Sequence, residues 1–192
     1  MVVLSNLVIP MRGIDNLYGS TKMLIKKGNI FDCQSEALVA PSNSKGIANH
    51  GIAHMFKKNF PYGYTVYKDA CDANDVTPGK LYPVEVSNKN PKHIIYFPTR
   101  ATPEENCASY IIESGLEELL SVIEEKQLRA VGMPAIGCGT GGLSWVEFIK
   151  LVDKILGNLD DCNIVVYHTS PLSFRRSVDT YKKSSLDSIY SI

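Results

Sequence analysis

The sequence lacks the features that define several large classes of protein. No stretch approaches the roughly 20 consecutive apolar residues of a membrane-spanning helix. Residues 1–4 carry neither the basic segment nor the long apolar core of a secretion signal. The five cysteines are scattered singly without a Cys-x-x-Cys pair, which argues against a disulfide framework and a zinc site. We therefore expect a protein of the reducing cytoplasm that has no contact with a membrane.

Histidine is equally sparse, and its placement gives little support for a metal. The four histidines form no His-Glu-x-x-His motif. His50 and His54 stand four residues apart in a segment that reads as a helix, which is a spacing that metal ligands use, but no third ligand accompanies them. We expect neither a metal nor a cofactor.

The chain also lacks an excess of charge of either sign. Lysines and arginines number 20, and aspartates and glutamates number 20. Because proteins that bind nucleic acid generally carry a basic excess, we expect no general nucleic-acid binding, although a local basic patch is compatible with this composition. The 192 residues suffice for one domain with a sizeable core, and we expect a monomer.

Short apolar segments alternate with amphipathic ones, a pattern typical of an α/β fold. Continuous apolar strands separated by helices imply a largely parallel sheet that is covered on both faces. Predicted strands cover residues 23–27, 37–40, 81–86, 93–97, 129–134 and 163–168, and predicted helices cover residues 51–60, 103–127 and 145–157. Residues 21–171 form the predicted domain. Residues 1–20 add an edge strand or wrap around it, and residues 172–192 form a short helix or a loose tail.

Two helix-start signals define the last two helices. Residues 102–105, Thr-Pro-Glu-Glu, are a capping box with proline at the first helical position, and residues 144–147, Ser-Trp-Val-Glu, are a second box. Gly115 interrupts the helix that the first box opens, and Pro61 ends the helix over residues 51–60.

Polar and glycine-rich segments follow the predicted strands at their carboxyl ends. These segments are residues 28–31, 41–51, 98–101, 134–143 and 168–171. Ligands of such folds bind outside the carboxyl ends of the strands, so we expect the five loops to converge on one site.

The densest glycine cluster places four glycines in the six positions 137–142. Glycine lets the backbone approach a ligand closely, and peptide N–H groups at a helix N-terminus hold phosphates without a basic side chain. A flexible surface turn is the alternative. A P-loop is excluded because Leu143 follows the last glycine. The Gly-x-Gly-x-x-Gly spacing is present, but no acidic residue ends the next strand, which disfavours an NAD-dependent dehydrogenase.

Four motifs, in order over residues 22–169, together resemble a macro domain. Gly-Asn-Ile at residues 28–30 follows the first strand, and Pro-Ser-Asn-Ser-Lys-Gly-Ile-Ala-Asn-His-Gly-Ile-Ala spans residues 41–53. Tyr-Phe-Pro-Thr-Arg at residues 96–100 is similar to a motif that usually reads Phe-Pro-Thr-Lys, and residues 134–145 are similar to the glycine-rich loop of the family. The resemblance is greatest to the branch with terminal ADP-ribose glycohydrolases and antitoxins that remove ADP-ribose from DNA.

The resemblance implies a three-layer α/β/α fold with a mixed, largely parallel sheet, which binds ADP-ribose or an ADP-ribosylated macromolecule. Asn29 and Ile30 would meet the adenine. The family usually has Asp at position 29, and Asn29 can accept a hydrogen bond only without charge. Tyr167 would line the adenine pocket, with core packing as the alternative. Asn43 would reach the distal ribose, with bracing of its own turn as the alternative. The other implied ligand contacts are Ser42, Asn49, Gly51, Ile52, Pro134, Gly137, Cys138, Gly139, Thr140, Gly141, Gly142, Leu143 and Thr169, among which residues 49–52 and 137–142 would hold the diphosphate from opposite sides.

The catalytic groups of the related enzymes are missing from their usual places. Arg100 stands where the DNA-directed relatives use a lysine, and Thr140-Gly141 stands where the protein-directed relatives have an aspartate. Arginine stays protonated and cannot act as a base or nucleophile, but it stabilises negative charge. His50 is a candidate acid–base group, or an exposed histidine at a helix start. The implied catalytic set is Asn43, His50 and Arg100.

Three functions fit these residues. The first is a hydrolase acting at the distal ribose, which removes ADP-ribose from nucleic acid or protein, or phosphate from ADP-ribose 1''-phosphate. The second is a non-catalytic binder of ADP-ribose or a related nucleotide signal, which the missing lysine and aspartate favour. The third is an unrelated nucleotide enzyme. We expect the hydrolase.

Overall fold

A mixed β-sheet organises the part of the chain that the structure describes. The computed structural model describes residues 6–10, 22–157, 159 and 161–168. Within these residues, seven strands lie in the order β1-β2-β7-β6-β3-β5-β4. They are β1 (Asn6–Pro10), β2 (Lys22–Lys27), β3 (Ala37–Ser42), β4 (Tyr82–Glu85), β5 (His93–Pro98), β6 (Ala130–Pro134) and β7 (Asn163–His168). The helices are α1 (Gly51–Asn59), α2 (Pro61–Asp72), α3 (Ser109–Glu125) and α4 (Trp145–Leu156), with a short 3-10 turn at Ile30–Asp32.

The sheet is largely parallel, as predicted. The pairs β2–β7, β7–β6, β6–β3 and β3–β5 are parallel, whereas the outer pairs β1–β2 and β5–β4 are antiparallel. The edge strand β1 comes from the segment that was predicted either to pair or to wrap. The tail predicted over residues 172–192 lies outside the described residues. No helix in the described ranges is both long enough and apolar enough to cross a bilayer.

Alternation along the central strands divides the core into two clusters. Val39 of β3 lies in a cluster with buried side chains of α3 and α4. Its neighbour Leu38 lies in a second cluster with Phe56 of α1 and Tyr67 of α2. Each fully buried side chain of this size contributes about 1.5–3 kcal/mol through the removal of apolar surface from water. The result is the predicted three-layer α/β/α arrangement, with α1 and α2 on one face and α3 and α4 on the other.

Helix α2 is an element that the sequence analysis missed. Pro61 ends α1, as predicted, but it also occupies the start of α2, where a missing N–H costs nothing. The buried face of α2 consists of Gly63, Tyr67, Ala70 and Cys71, at helical spacing. Small and aromatic residues replace the usual leucine stripe, so the apolar periodicity was easily overlooked.

Helix α3 begins at Ser109, well after the capping box predicted to open it, so that prediction is wrong. The box residues form a closed turn instead. The Glu105 carboxylate accepts hydrogen bonds from the Ala101 amide at 3.1 Å and from the Thr102 hydroxyl at 3.4 Å. The groups that would have capped a helix are therefore used within the turn.

The second capping box does open a helix at the predicted place. The Ser144 hydroxyl accepts a hydrogen bond from the Glu147 amide at 3.1 Å, and α4 begins at Trp145. The Glu147 carboxylate accepts from the Ser109 hydroxyl at 2.8 Å instead of returning to the cap. This bond joins the N-terminal ends of α3 and α4.

Gly115 does not interrupt α3, contrary to the sequence-based expectation, but lies buried inside it. A Cβ atom at this position would lie 2.1 Å from Cζ of Phe97, a fully buried ring of β5. The glycine therefore lets the helix pack directly against this ring.

We predict that Gly115→Ala lowers the free energy of unfolding by about 1–3 kcal/mol, because the added methyl group overpacks the core. Urea denaturation measures the change. Ser114→Ala, at an exposed position of the same helix, should stay within about 0.5 kcal/mol of the wild type. Equal stability of the two variants would contradict the packing described here.

Candidate nucleotide site at the carboxyl edge of the sheet

One cavity of about 530 Å³ lies where β2, β7, β6, β3 and β5 end. Its walls come from the segments that follow these strands, so the predicted convergence of loops is observed for residues 28–31, 41–51, 98–101 and 134–143. Residues 169–171 lie outside the described residues. Because neighbouring strands are about 4.8 Å apart, five strands give the cavity an edge of about 19 Å.

Most of the predicted site residues are brought together in this cavity. Its lining includes Asn29, Ile30, Ser42, Asn43, His50, Gly51, Ile52, Arg100, Pro134, Gly137, Cys138, Gly139, Thr140, Gly141 and Tyr167. Asn49, Gly142 and Leu143 do not line it, and Thr169 lies outside the described residues. The lining also contains Ile47, Met55, Pro103, Trp145 and His168, which the sequence analysis did not single out as site residues. Trp145 directly follows the glycine loop at the start of α4, and His168 is the last residue of β7. These positions in the sequence could have indicated that both residues reach the cavity.

The glycine loop presents unpaired amide groups to the cavity. Among the described residues, the amides of Gly137 and of residues 139–141 donate to no protein acceptor. The next two amides turn into the loop, from Gly142 to the Gly139 carbonyl at 3.3 Å and from Leu143 to the Gly137 carbonyl at 3.0 Å. Gly137 has a φ of +78°, which favours glycine and lets the backbone reverse. Free amides in such a loop form an anion site without any charged side chain.

A second set of amides without helical partners lies beside the same cavity, at the start of helix α1. Gly51, Ile52 and Ala53 line the cavity, and the first amides of a helix have no partner within it. The first helical bond runs from the His54 amide to the His50 carbonyl at 3.4 Å, and the N-cap His50 supplies no side-chain cap. The positive end of the α1 dipole therefore adds to the field of these amides.

Asn29 and Tyr167 lie at the β2 and β7 end of the cavity. Asn29 Oδ1 accepts from the Phe31 amide at 3.3 Å, and its Nδ2 donates to Asp32 Oδ1 at 3.4 Å. One lone pair of the Asn29 oxygen stays available to a ligand. Tyr167 packs in the second core cluster and also lines the cavity, so the two alternatives weighed for it coexist. Burial raises its pKa, which keeps the hydroxyl protonated.

Asn43 braces its own loop. Its Nδ2 donates to the Ile47 carbonyl at 2.7 Å, and its Oδ1 accepts from the amides of Lys45 at 3.2 Å and Ile47 at 3.1 Å. The Tyr67 hydroxyl donates to the Asn43 carbonyl at 3.0 Å. The side-chain oxygen is saturated, so one N–H of the amide is what Asn43 can offer to a ligand.

The Arg100 guanidinium ties two walls of the cavity together. Nη1 donates to the Glu105 carbonyl at 2.7 Å, and Nη2 donates to Thr140 Oγ1 at 2.6 Å. A guanidinium has five N–H donors, so three remain for a ligand. The two anchors fix a permanent positive charge between the end of β5 and the glycine loop.

The other titratable groups of the cavity offer limited chemistry. His50 is exposed at the N-cap of α1. Burial raises the pKa of the Cys138 thiol to about 12, so no thiolate nucleophile forms near neutral pH. Within the described part of the chain, no group of three or more His, Cys, Asp or Glu side chains is arranged to hold a metal.

The comparison with known protein families agrees with this geometry. The family model of the macro domain matches residues 39–152. The chain belongs to the macro domain family. It is similar, at 35% identity over 144 residues, to the DNA ADP-ribosyl glycohydrolase of Mycobacterium tuberculosis. That alignment covers 74% of this chain and 41% of the relative, so the chain spans about two-fifths of that relative's length.

A solved structure and a second relative are also similar to this chain. The macrodomain of Mycobacterium tuberculosis DarG superposes with a TM-score of 0.75 at 33% identity, over 78% of this chain and 99% of that one. An ADP-ribose 1''-phosphate phosphatase of Meyerozyma guilliermondii is 27% identical over 164 residues, which are 70% of this chain and 94% of the relative. The resemblance and the fold inferred from the sequence are therefore confirmed.

We predict that alanine destabilises the protein at one position of the glycine loop and is tolerated at another. A Cβ at Gly141 would lie 2.7 Å from the Gly137 carbonyl oxygen and 2.9 Å from Cys107 Cβ, whereas a Cβ at Gly139 would meet no atom within 4 Å. Gly141→Ala should therefore lower the free energy of unfolding by about 1–3 kcal/mol, and Gly139→Ala should leave it within about 0.5 kcal/mol. Denaturation of both variants tests this, and a tolerated Gly141→Ala would argue against the packed loop.

Proposed function

We propose that this chain binds ADP-ribose and hydrolyses the bond at its distal ribose, releasing ADP-ribose from modified DNA. The observation that supports this most directly is the presence of two sets of unpaired amide groups beside one cavity, in the glycine loop and at the start of α1, which suits two linked phosphates. The similarity to a DNA ADP-ribosyl glycohydrolase supports DNA as the carrier.

The strand order suggests how the ligand would lie. The diphosphate would bind between the β6 loop and α1, near the middle of the cavity edge. The adenosine would extend toward β2 and β7, where Asn29 and the Tyr167 ring lie. The distal ribose would extend toward β3 and β5, where Asn43, His50 and Arg100 line the wall. The chemistry would thus take place beside the one fixed cation described for the cavity.

The proposed reaction uses water to replace the DNA base at C1'' of the distal ribose. The C1''–base bond breaks and its electron pair leaves with the base, whose nitrogen takes up a proton from solvent, while water adds to C1'' and loses a proton. His50 is the residue that we propose takes this proton. Arg100 would stabilise negative charge on the phosphates or on the leaving group, since it cannot accept a proton itself.

Removal of phosphate from ADP-ribose 1''-phosphate is the second candidate. That reaction relies on positioning and charge stabilisation more than on a strong nucleophile, and the doubly anchored Arg100 is suited to it. The similarity to an ADP-ribose 1''-phosphate phosphatase also favours it. A chain that only binds ADP-ribose is the non-catalytic alternative.

Incubation with a substrate panel tests these functions together. The panel contains single-stranded DNA carrying ADP-ribose on a base, protein carrying ADP-ribose on carboxylates, and ADP-ribose 1''-phosphate. We expect free ADP-ribose from the DNA. If the only product is inorganic phosphate from ADP-ribose 1''-phosphate, the phosphatase function is supported instead. Binding of ADP-ribose without any product would indicate a non-catalytic binder.

We predict that Gly139→Glu abolishes ADP-ribose binding while the fold is kept. Position 139 has open space around a Cβ, so the carboxylate is accommodated but projects among the amides meant for the diphosphate. Like charges about 4 Å apart near a protein surface repel by about 4 kcal/mol, so affinity should fall by at least about 100-fold. Calorimetry measures it. Gly139→Ala is the control and should retain affinity, and a tight-binding Gly139→Glu would refute the assigned loop.

We predict that Arg100→Ala lowers kcat on the cleaved substrate by about 10²–10³-fold, a range typical for loss of one charge-stabilising donor. The dissociation constant for free ADP-ribose should change far less. Arg129→Ala, an exposed arginine at the opposite edge of the sheet, should match the wild type in both. Equal losses in binding and in turnover for Arg100→Ala would restrict this residue to binding.

A further inference from the structure

A long run of the chain around α1 contains no carboxylate. Residues 37–68 include neither Asp nor Glu, although acidic residues make up 20 of the 192 in the chain. The run carries Lys45, Lys57, Lys58 and Lys68. Its end is neutralised, since Lys68 pairs with Asp72. In a protein with no net charge, this is a local concentration of positive charge beside the cavity.

Helical spacing places polar and basic side chains on the solvent side of α1. Phe56 is the buried residue of the helix, and it packs against Phe31 with ring centroids 4.9 Å apart. His50, His54 and Lys58 recur every four residues on the opposite side, and all three are exposed. The stripe begins with a residue of the cavity wall and continues away from the cavity along the helix.

The neighbouring elements do not neutralise this side of the helix. Lys57 and Lys58 form no ion pair within the described ranges, and Lys57 Nζ lies 4.7 Å from the centre of the Tyr64 ring. Of the carboxylates on the elements that pack against α1, Asp32 hydrogen-bonds to Asn29, Asp72 pairs with Lys68, and the exposed Asp69 of α2 forms no ion pair with a lysine of the described residues. A polyanion would therefore meet lysines that have no competing carboxylate partner.

Large apolar side chains are exposed on the same side. Ile47 and Met55 line the cavity yet remain 39% and 41% exposed, and Tyr62, in the first turn of α2, is 64% exposed. Apolar and aromatic faces beside cations are what unstacked bases contact, whereas a duplex offers its phosphates and hides its bases. An acidic protein segment would use the lysines but would gain less from these faces.

We propose that the solvent side of α1, comprising His50, His54, Met55, Lys57 and Lys58 and extending to Ile47 and Tyr62, docks the single strand of nucleic acid that carries the ADP-ribose. The proposal rests on the proposed function. The strand would leave the distal ribose at the wall formed by Ile47, His50 and Met55 and then follow α1. Because the chain as a whole is neutral, this surface adds modest affinity to a strand already held by its ADP-ribose, without general nucleic-acid binding.

The test compares free ADP-ribose with a short single strand that carries it. The wild type should bind the strand about tenfold tighter than free ADP-ribose at low salt, and the difference should vanish as salt rises. The double variant Lys57→Gln with Lys58→Gln should lose this difference and keep the affinity for free ADP-ribose. It should also reduce the slope of log K against log salt concentration by about 1.4. The matched control, Lys89→Gln with Lys92→Gln, removes the same charge at the opposite edge of the sheet and should behave as wild type.

Each other outcome decides between the two proposals. If free ADP-ribose does not bind, the proposed function fails and the docking proposal fails with it. If free ADP-ribose binds but the strand gains nothing, or the α1 double variant equals the control, the docking surface alone is overturned. If an ADP-ribosylated protein binds more tightly than free ADP-ribose and the single strand does not, the surface binds protein, and the proposal for nucleic acid is overturned. A duplex that binds as well as the single strand would contradict the role given to the apolar side chains.

Discussion

The site depends on backbone amide groups that the fold leaves without partners. A buried peptide N–H away from any acceptor is costly, so a protein normally pairs it within a helix, a sheet or a turn. Here the glycine loop and the first turn of α1 both expose such groups toward the same cavity. Their common location follows from the sheet, because parallel strands deliver both segments to one edge. An anion with two phosphates satisfies this arrangement better than a neutral ligand.

Ties between the loops keep these groups in place. Arg100 joins the turn at residues 101–105 to Thr140 of the glycine loop, and the Cys107 amide donates to the Gly141 carbonyl at 3.2 Å. The same hydrogen bonds explain why α3 starts late, because the segment between β5 and α3 forms part of the cavity wall. Positive charge and free amides are thus fixed in advance, which lowers the entropic cost of binding.

Much of this was accessible from the sequence because the strands are buried on both faces and read as short apolar runs. The glycine loop and the capping box at Ser144 could also be predicted, because both are recognised from a few consecutive residues. What failed was decided by which side chains meet in the folded chain. Thr102 looked like a helix cap, but Glu105 turned back to it. Gly115 looked like a break, but Phe97 occupied the space of its missing side chain. Asn43 lines the cavity and its side chain also braces its own loop, so its contact with a ligand stays a prediction.

Amide resonances offer the most direct test of the central claim, that unpaired main-chain N–H groups on two sides of the cavity grip a diphosphate. In a two-dimensional ¹⁵N–¹H spectrum titrated with ADP-ribose, the account predicts large, saturable downfield shifts for the amides of Gly137, residues 139–141 and residues 51–53, all with one dissociation constant. The inward-turned amides of Gly142 and Leu143 should move much less. Saturable binding that leaves the first set unshifted, or that shifts only one side of the cavity, would contradict the account.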